Sequence, residues 1–404
     1  MPKLPTAKTL TNAPPMNGWR RVKFGDVVRF VKENADPESG EFEQYVAGEH
    51  IETDNLHIRK WGTVGDGYLG PAFHRRFKKG QVLYGSRRTY LRKIAVAEFD
   101  GITANTTFVL EPSGEELIPE LLPFIMQTEA FTQHSVKQSK GSVNPYINFK
   151  DITWFEFALP PKEEQRRIAE FLWAADDHVQ TLRHVNSRID ILLQEFVEKF
   201  LAEEPGESRP CSDLVVENVR NGFSPPTSSR GLPTLSISAI RDGQVRCEPD
   251  NIKYADVPLA SVTQFLMRPK DVLVVRGNGN RDLVGRAGIV STNPENCFYP
   301  DLLIRLRFDE SKIRPEFACI QWNSRTAHGQ LLKRAKSTNG IWKVNGKDVS
   351  QQLLKVPKLK AQDGLLRQFQ QFDGTIRSAR SAFETAHLLG TGLLQQLLSP
   401  GNTS

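Results

Sequence analysis

Taking every third and fourth residue from Ile168 yields Ile168, Leu172, Ala175, Val179, Leu182, Asn186, Ile189, Leu193, Phe196 and Phe200, with Asn186 the one polar member. A 4-3-4-3 spacing kept over several heptads is an a/d seam, so it predicts one long helix over residues 160–202 with a stripe facing a partner. The partner lies in the same chain. Adding 197 to each number gives Leu365, Phe369, Phe372, Ile376, Ala379, Phe383, Ala386, Gly390, Leu393 and Leu397, the same register without a slip. The expected core of the helix pair is Ile168, Leu172, Val179, Leu182, Ile189, Leu193, Phe369, Phe372, Ile376 and Phe383.

The repeat continues upstream of the helices. Ile147-Asn148-Phe149-Lys150-Asp151-Ile152 meets Val344-Asn345-Gly346-Lys347-Asp348-Val349 at the same offset, and Pro160 meets Pro357. Farther back the offset falls to 190, where Val82-Leu83 meets Val272-Leu273 and Tyr45-Val46 meets Leu235-Ser236. Drift of this kind is what loop insertions produce. The chain therefore reads as a duplicated unit of globular domain plus long helix, with a period too long for a solenoid. The expected organisation is a leader over 1–15, a globular domain over 16–158, a helix over 159–204, a second globular domain over 205–355 and a second helix over 356–400. Pro160-Pro161 stops the preceding strand, Glu163 and Glu164 suit a helix N-terminus, and Glu203-Glu204-Pro205-Gly206 ends the helix. A helix of about 40 residues is about 60 Å long, the length of a spacer. Residues 19–30 and 45–51 read as strands, and residues 120–133 as a helix.

Charge and cysteine usage narrow the class. The 404 residues carry a net charge of +6 with a sequence pI of about 9.0, which favours a polyanionic partner. Cys211, Cys247, Cys297 and Cys319 include no close pair, which argues against a zinc site or disulfide framework and fits a reducing cytoplasm. No run of 18 apolar residues occurs, so no membrane partner is expected.

Two places per half are candidate nucleic-acid contacts. In the first half, residues 75–97 carry eight basic residues and no acid, with Arg87, Arg88 and Tyr90 around a Gly85-Ser86 break. Residues 130–150 also lack acids, and Lys140, Ser142, Asn144 and Tyr146 stand on a small, polar stretch that cannot supply core. In the second half the loop Arg276-Gly277-Asn278-Gly279-Asn280-Arg281 and the acid-free residues 317–347, with Lys336, Asn339 and Trp342, take the matching places. Such side chains reach phosphates and base edges, and a solvated surface with no ligand is the bland alternative.

Several motifs imitate active sites. Pro300-Asp301 with Glu310-Ser311-Lys312 has the bare form of a Mg²⁺-dependent nuclease, and Asp309–Lys312 reads as a polar turn. Ser224-Pro225-Pro226-Thr227 lacks the aromatic fourth residue that would stack on a flipped base. Gly340–Lys347 is a defective P-loop, with five residues between the glycines and Asp348 where Ser or Thr belongs. With eight histidines and no metal-ligand spacing, no catalytic or metal residue is assigned.

The chain resembles the DNA specificity subunit of type I restriction-modification systems. The resemblance is carried by Leu159-Pro160-Pro161-Lys162-Glu163-Glu164-Gln165-Arg166-Arg167-Ile168-Ala169, by Val356-Pro357-Lys358-Leu359-Lys360-Ala361-Gln362, by residues 45–51, and by Asp271-Val272-Leu273-Val274 with Leu283-Val284-Gly285. It departs from that pattern at Asp363-Gly364, where a basic pair is expected, and at Gly390 and Gly392. The resemblance implies a mixed α/β fold of two similar target recognition domains separated by two long antiparallel coiled-coil helices. It also implies a non-catalytic subunit that reads a bipartite site in double-stranded DNA. Methyltransferase (modification) subunits, two in number, and restriction/translocase subunits are the implied partners. S-adenosylmethionine, ATP and Mg²⁺ then belong to those partners, with no cofactor on this chain, in a cytoplasmic complex. A stand-alone nuclease and a scaffold that binds no DNA are the competing readings.

Overall fold

A computed structural model describes residues 18–338 and 340–398. The expected leader, residues 1–15, and Asn339 lie outside the described residues. The chain divides into two compact units, Met1–Arg183 with Ser381–Ser404, and His184–Arg380. The long helices expected from the seam are present as Lys162–Glu203 and Leu359–Leu398. Each unit therefore contains part of both helices.

The first unit opens on Arg20–Lys23, paired antiparallel with Glu156–Leu159, the strand that Pro160-Pro161 stops before the first long helix. The single strand expected over 19–30 is interrupted. Phe24–Val27 makes one helical turn before Val28–Val31, because Phe24 and Val27, three residues apart, both enter the core. Gly25 is tight against Thr153, where a Cβ would lie 2.6 Å from the threonine Cβ. Val28–Val31, Thr107–Pro112, Val82–Gly85 and Ile94–Val96 form one antiparallel sheet. Gly62–Thr63, Gln44–Val46, Gly101–Ala104 and Phe73–Phe77 form a second. The helix expected over 120–133 is two helices, Leu122–Gln127 and Glu129–Gln138, separated by Thr128. Thr128 Oγ1 accepts from the Phe131 N–H at 3.3 Å, starting a new helix instead of extending the old one.

The second unit repeats this plan. Gly206–Pro210 pairs with Leu353–Pro357, the strand that leads into the second long helix. Arg220–Asn221, Leu303–Leu306, Val272–Val275 and Ala287–Ile289 follow one another across its main sheet. Helices Pro315–Trp322 and Arg325–Leu332 are separated by Ser324, which caps Ala327 as Thr128 caps Phe131. Asn148 with Asp151, and Asn345 with Asp348, build the same capping box in the two units. Gln165 and Gln362, both buried, donate to Pro160 O at 2.9 Å and Pro357 O at 2.8 Å. Each also accepts a backbone N–H from its own globular part, Ile118 at 3.0 Å and Arg314 at 2.8 Å. A side chain fully spent on backbone groups fixes the angle at which each helix leaves its unit.

The seam is buried where the globular parts lean on it. In the first unit Ile168, Leu172 and Val179 are buried, and Leu172 shares a core with Leu394 of the second helix. In the second unit Leu365 is buried, and the rings of Phe196 and Phe369 lie 5.8 Å apart. Leu182, Ile189, Leu193, Ile376 and Phe383 are half-buried, since two helices without a third wall cover only one side of each other. Phe372 corrects the expected register. It is 52% exposed, and the half-buried position between Phe369 and Ile376 is Asp373. A straight helix advances about 100° per residue, so 369-373-376 and 369-372-376 diverge by one residue's rotation, and the apolar residue loses the stripe. Among the described residues no helix is long and apolar enough to cross a membrane.

Candidate nucleic-acid interface

The first unit brings its two candidate segments together. Arg87 bridges Tyr146, and Tyr146 bridges Lys140, in a small antiparallel arrangement. Its backbone bonds run from Arg88 N–H to Pro145 O at 2.6 Å, from Tyr146 N–H to Lys140 O at 2.9 Å and from Ile147 N–H to Ser86 O at 2.9 Å. Arg88 sits at φ +48°, a strained conformation for a non-glycine residue, and its Nε donates to Asn144 Oδ1 at 3.3 Å. Arg87, Arg88, Tyr90, Lys140, Ser142, Asn144 and Tyr146 are all exposed. Lys140 is held by Asp151 at 2.9 Å, which in turn keeps that carboxyl below the usual range. The neighbouring Arg92 faces inward, bound to Asp54 at 2.6 Å, Glu129 at 3.0 Å and Gln127 O at 2.6 Å. Lys93 is likewise spent on Gly48 O.

The second unit builds the same arrangement from unlike residues. Gly277–Asn278 pairs with Ile341–Lys343, which pairs with Lys336–Thr338, so that Asn278 opposes Trp342 and Trp342 opposes Ser337. Arg281 lies over the Trp342 ring, its guanidinium carbon 4.9 Å from the centroid. Asn278 Oδ1 accepts from Asn280 N–H at 2.8 Å and Asn280 Oδ1 from Asp282 N–H at 3.0 Å, so the two amide oxygens shape the loop. Arg276 is half-buried and donates to Asp301 O at 3.2 Å, so it is anchored more firmly than an exposed reader. Lys336 is exposed. Asn339 lies outside the described residues.

The residues of the nuclease-like pattern serve structural partners. Ser224 Oγ donates to Asp301 Oδ1 at 2.6 Å, Lys270 pairs with Glu310 at 2.6 Å, and Lys312 pairs with Asp309 at 3.3 Å. Strand Leu303–Leu306 stands between Asp301 and Glu310. Among the described residues no group of three or more His, Cys, Asp or Glu side chains is placed to hold a metal ion. The P-loop-like stretch holds strand Ile341–Lys343 and the start of helix Gly346–Ser350, so it is not a phosphate-cradling loop. Asp363, which departs from the expected basic pair, binds Arg314 through both oxygens at 2.8 and 3.2 Å.

Comparison with known proteins bears out the resemblance read from the sequence. Residues 16–190 match the type I restriction modification DNA specificity domain. The specificity subunit of the type I restriction enzyme EcoKI of Escherichia coli (strain K12) is 28% identical over 280 residues, 63% of this chain and 60% of that one. That of EcoDI of Escherichia coli is 26% identical over 187 residues, 45% of this chain and 41% of that one. The chain thus spans less than two thirds of the length of these relatives. The crystal structure of the HsdS subunit from Thermoanaerobacter tengcongensis is similar over 97% of this chain and 99% of that one, at 20% identity and a TM-score of 0.43.

Proposed function

We propose, from the match of residues 16–190 to the type I restriction modification DNA specificity domain, that the chain is the DNA-reading, non-catalytic subunit of a type I complex. The observation that carries this reading is the recurrence of one arrangement in both units, Arg87–Tyr146–Lys140 in the first and Asn278–Trp342–Ser337 in the second. A shared backbone frame with different side chains suits two readers of two different sequences. Exposed Arg and Lys supply sequence-independent affinity, and Arg, Asn and aromatic groups on the same frame meet base edges. The recognised site is bipartite, one part for each unit.

The chemistry belongs to partners. Two methyltransferase subunits dock on the long helices, bring S-adenosylmethionine and methylate adenine. A restriction/translocase subunit brings ATP and Mg²⁺. Selection of bound duplexes from a random pool by the full chain tests the reading. A two-part motif is expected, and a duplex with each half of that motif altered in turn loses binding stepwise. Mg²⁺-dependent cutting by the isolated chain, abolished by Asp301→Ala, would replace this reading with the nuclease one. Absence of any duplex binding, with the methyltransferase present, would leave the scaffold.

A further inference from the structure

We propose that Lys32 and Arg75, which both face the ring of Phe30, form a phosphodiester-binding site on the first unit beside the Arg87–Arg88 loop. Lys32 Nζ lies 5.5 Å and the Arg75 guanidinium carbon 4.9 Å from the Phe30 centroid. Phe30 lies in strand Val28–Val31, and Lys32 follows the last residue of that strand. Arg75 reaches the same ring from strand Phe73–Phe77. One ring therefore holds two cations.

Among the described residues neither cation has a carboxylate partner. The acids nearest in sequence are engaged elsewhere, Glu33 with Lys78 at 2.9 Å, Glu41 with Arg76 at 3.2 Å, and Asp36 with the Glu38 N–H at 2.9 Å. Arg75 Nε is buried without a hydrogen-bond partner, and burial with no carboxylate to offset it holds the Arg75 pKa below its usual value. Two cations on one ring, neither with a carboxylate and one of them partly desolvated, are a poor arrangement for a free surface and a good one for a bound anion. A stacked guanidinium still presents its in-plane N–H groups, which match the oxygens of a phosphate.

The place is continuous with the reading loops. The Phe30 ring lies 5.4 Å from that of Phe149, two residues beyond Ile147, whose N–H bonds Ser86 O next to Arg87. The site rests on the DNA-reading function proposed above and adds a contact to the backbone, which fixes register without reading sequence.

The test is the salt dependence of binding by the full chain to its selected duplex. Lys32→Ala and Arg75→Gln are each expected to lower the slope of log K against log salt by about 0.9, and the double variant by about 1.8. Lys32→Arg and Arg75→Lys keep the wild-type slope, and base preference in the pool selection stays unchanged for all of them. An unchanged slope for Lys32→Ala, whose exposed position makes it the variant safest to fold, overturns the site, as does a change of preferred base. A wild-type chain that binds no duplex removes both this site and the function beneath it, whereas wild-type binding with an unmoved slope removes the site alone.

Discussion

In the first unit His57 Nε2 lies 2.7 Å from Asp176 of the first long helix while its Nδ1 lies 2.9 Å from Glu98. With a carboxylate at each nitrogen the imidazolium can donate twice, and the bond to Asp176, more than that to Glu98, raises the His57 pKa above 6.5. The sign follows from linkage. The contribution to stability is fully present below the unfolded value near 6.5 and is lost as pH rises through the higher folded value. His50, His134 and His328 have lowered values and act in the opposite sense, so wild-type melting alone does not isolate the effect. The difference between wild type and His57→Gln does. It is expected to be about 1–2 kcal/mol in favour of wild type near pH 6 and to shrink by about pH 8.5, read by thermal melts at both values.

A second prediction concerns Asp271, which is 1% exposed and binds Arg307 through both oxygens at 2.7 and 2.8 Å. Arg307 also pairs with Glu217, which takes a bond at 2.9 Å from Arg305, a residue 4% exposed. Asp271→Ala leaves a desolvated guanidinium without its main partner, and a loss of about 3–5 kcal/mol is expected. Asp271→Asn keeps one acceptor and should lose less. Urea unfolding of the two variants checks the order, and equal losses would mean that the retained acceptor contributes nothing and the carboxylate charge carries the whole effect.

Features written as long periods were legible in the sequence, and features made by tertiary encounter were not. The seam from Ile168 to Phe200 and its copy at an offset of 197 declared both helices, because a 3.5-residue period over ten members has few other uses. The Asp271–Glu217–Arg305–Arg307 cluster has no comparable signal, since strands bring its members together. The acid-free stretch 75–97 misled in one respect. Arg92 and Lys93 are surrounded by basic sequence but find Asp54, Glu129 and Gly48 O in space. Phe372 shows the limit of periodicity, because choosing between positions 372 and 373 depends on helix twist that the apolar pattern does not encode.

A third prediction follows from the Arg88–Asn144 bond. Asn144 stands exposed near the tip of its loop, and its amide is the type of group that pairs with adenine in the major groove. Asn144→Ala is expected to relax preference at one base pair by about 1–3 kcal/mol. The other half of the motif should keep its preference, because the proposed function assigns it to the second unit. Duplex selection with the variant reports both at once, and uniform weakening across all positions would assign Asn144 to the backbone instead.

The seam itself is tested by two residues that both belong to the predicted stripe and differ in the fold. Leu172 is 3% exposed within the core that includes Leu394, whereas Phe372 is 52% exposed. Leu172→Ala removes buried methyl groups from that core and should cost about 2–5 kcal/mol. Phe372→Ala should stay within about 0.5 kcal/mol, despite deleting the larger side chain. Leu182→Asp lies between, since a half-buried carboxylate recovers part of its hydration while still losing the apolar contact. Chemical denaturation of the three variants gives the order Leu172→Ala, Leu182→Asp, Phe372→Ala. A loss at Phe372 matching that at Leu172 would restore the strict heptad register and remove Asp373 from the helix interface.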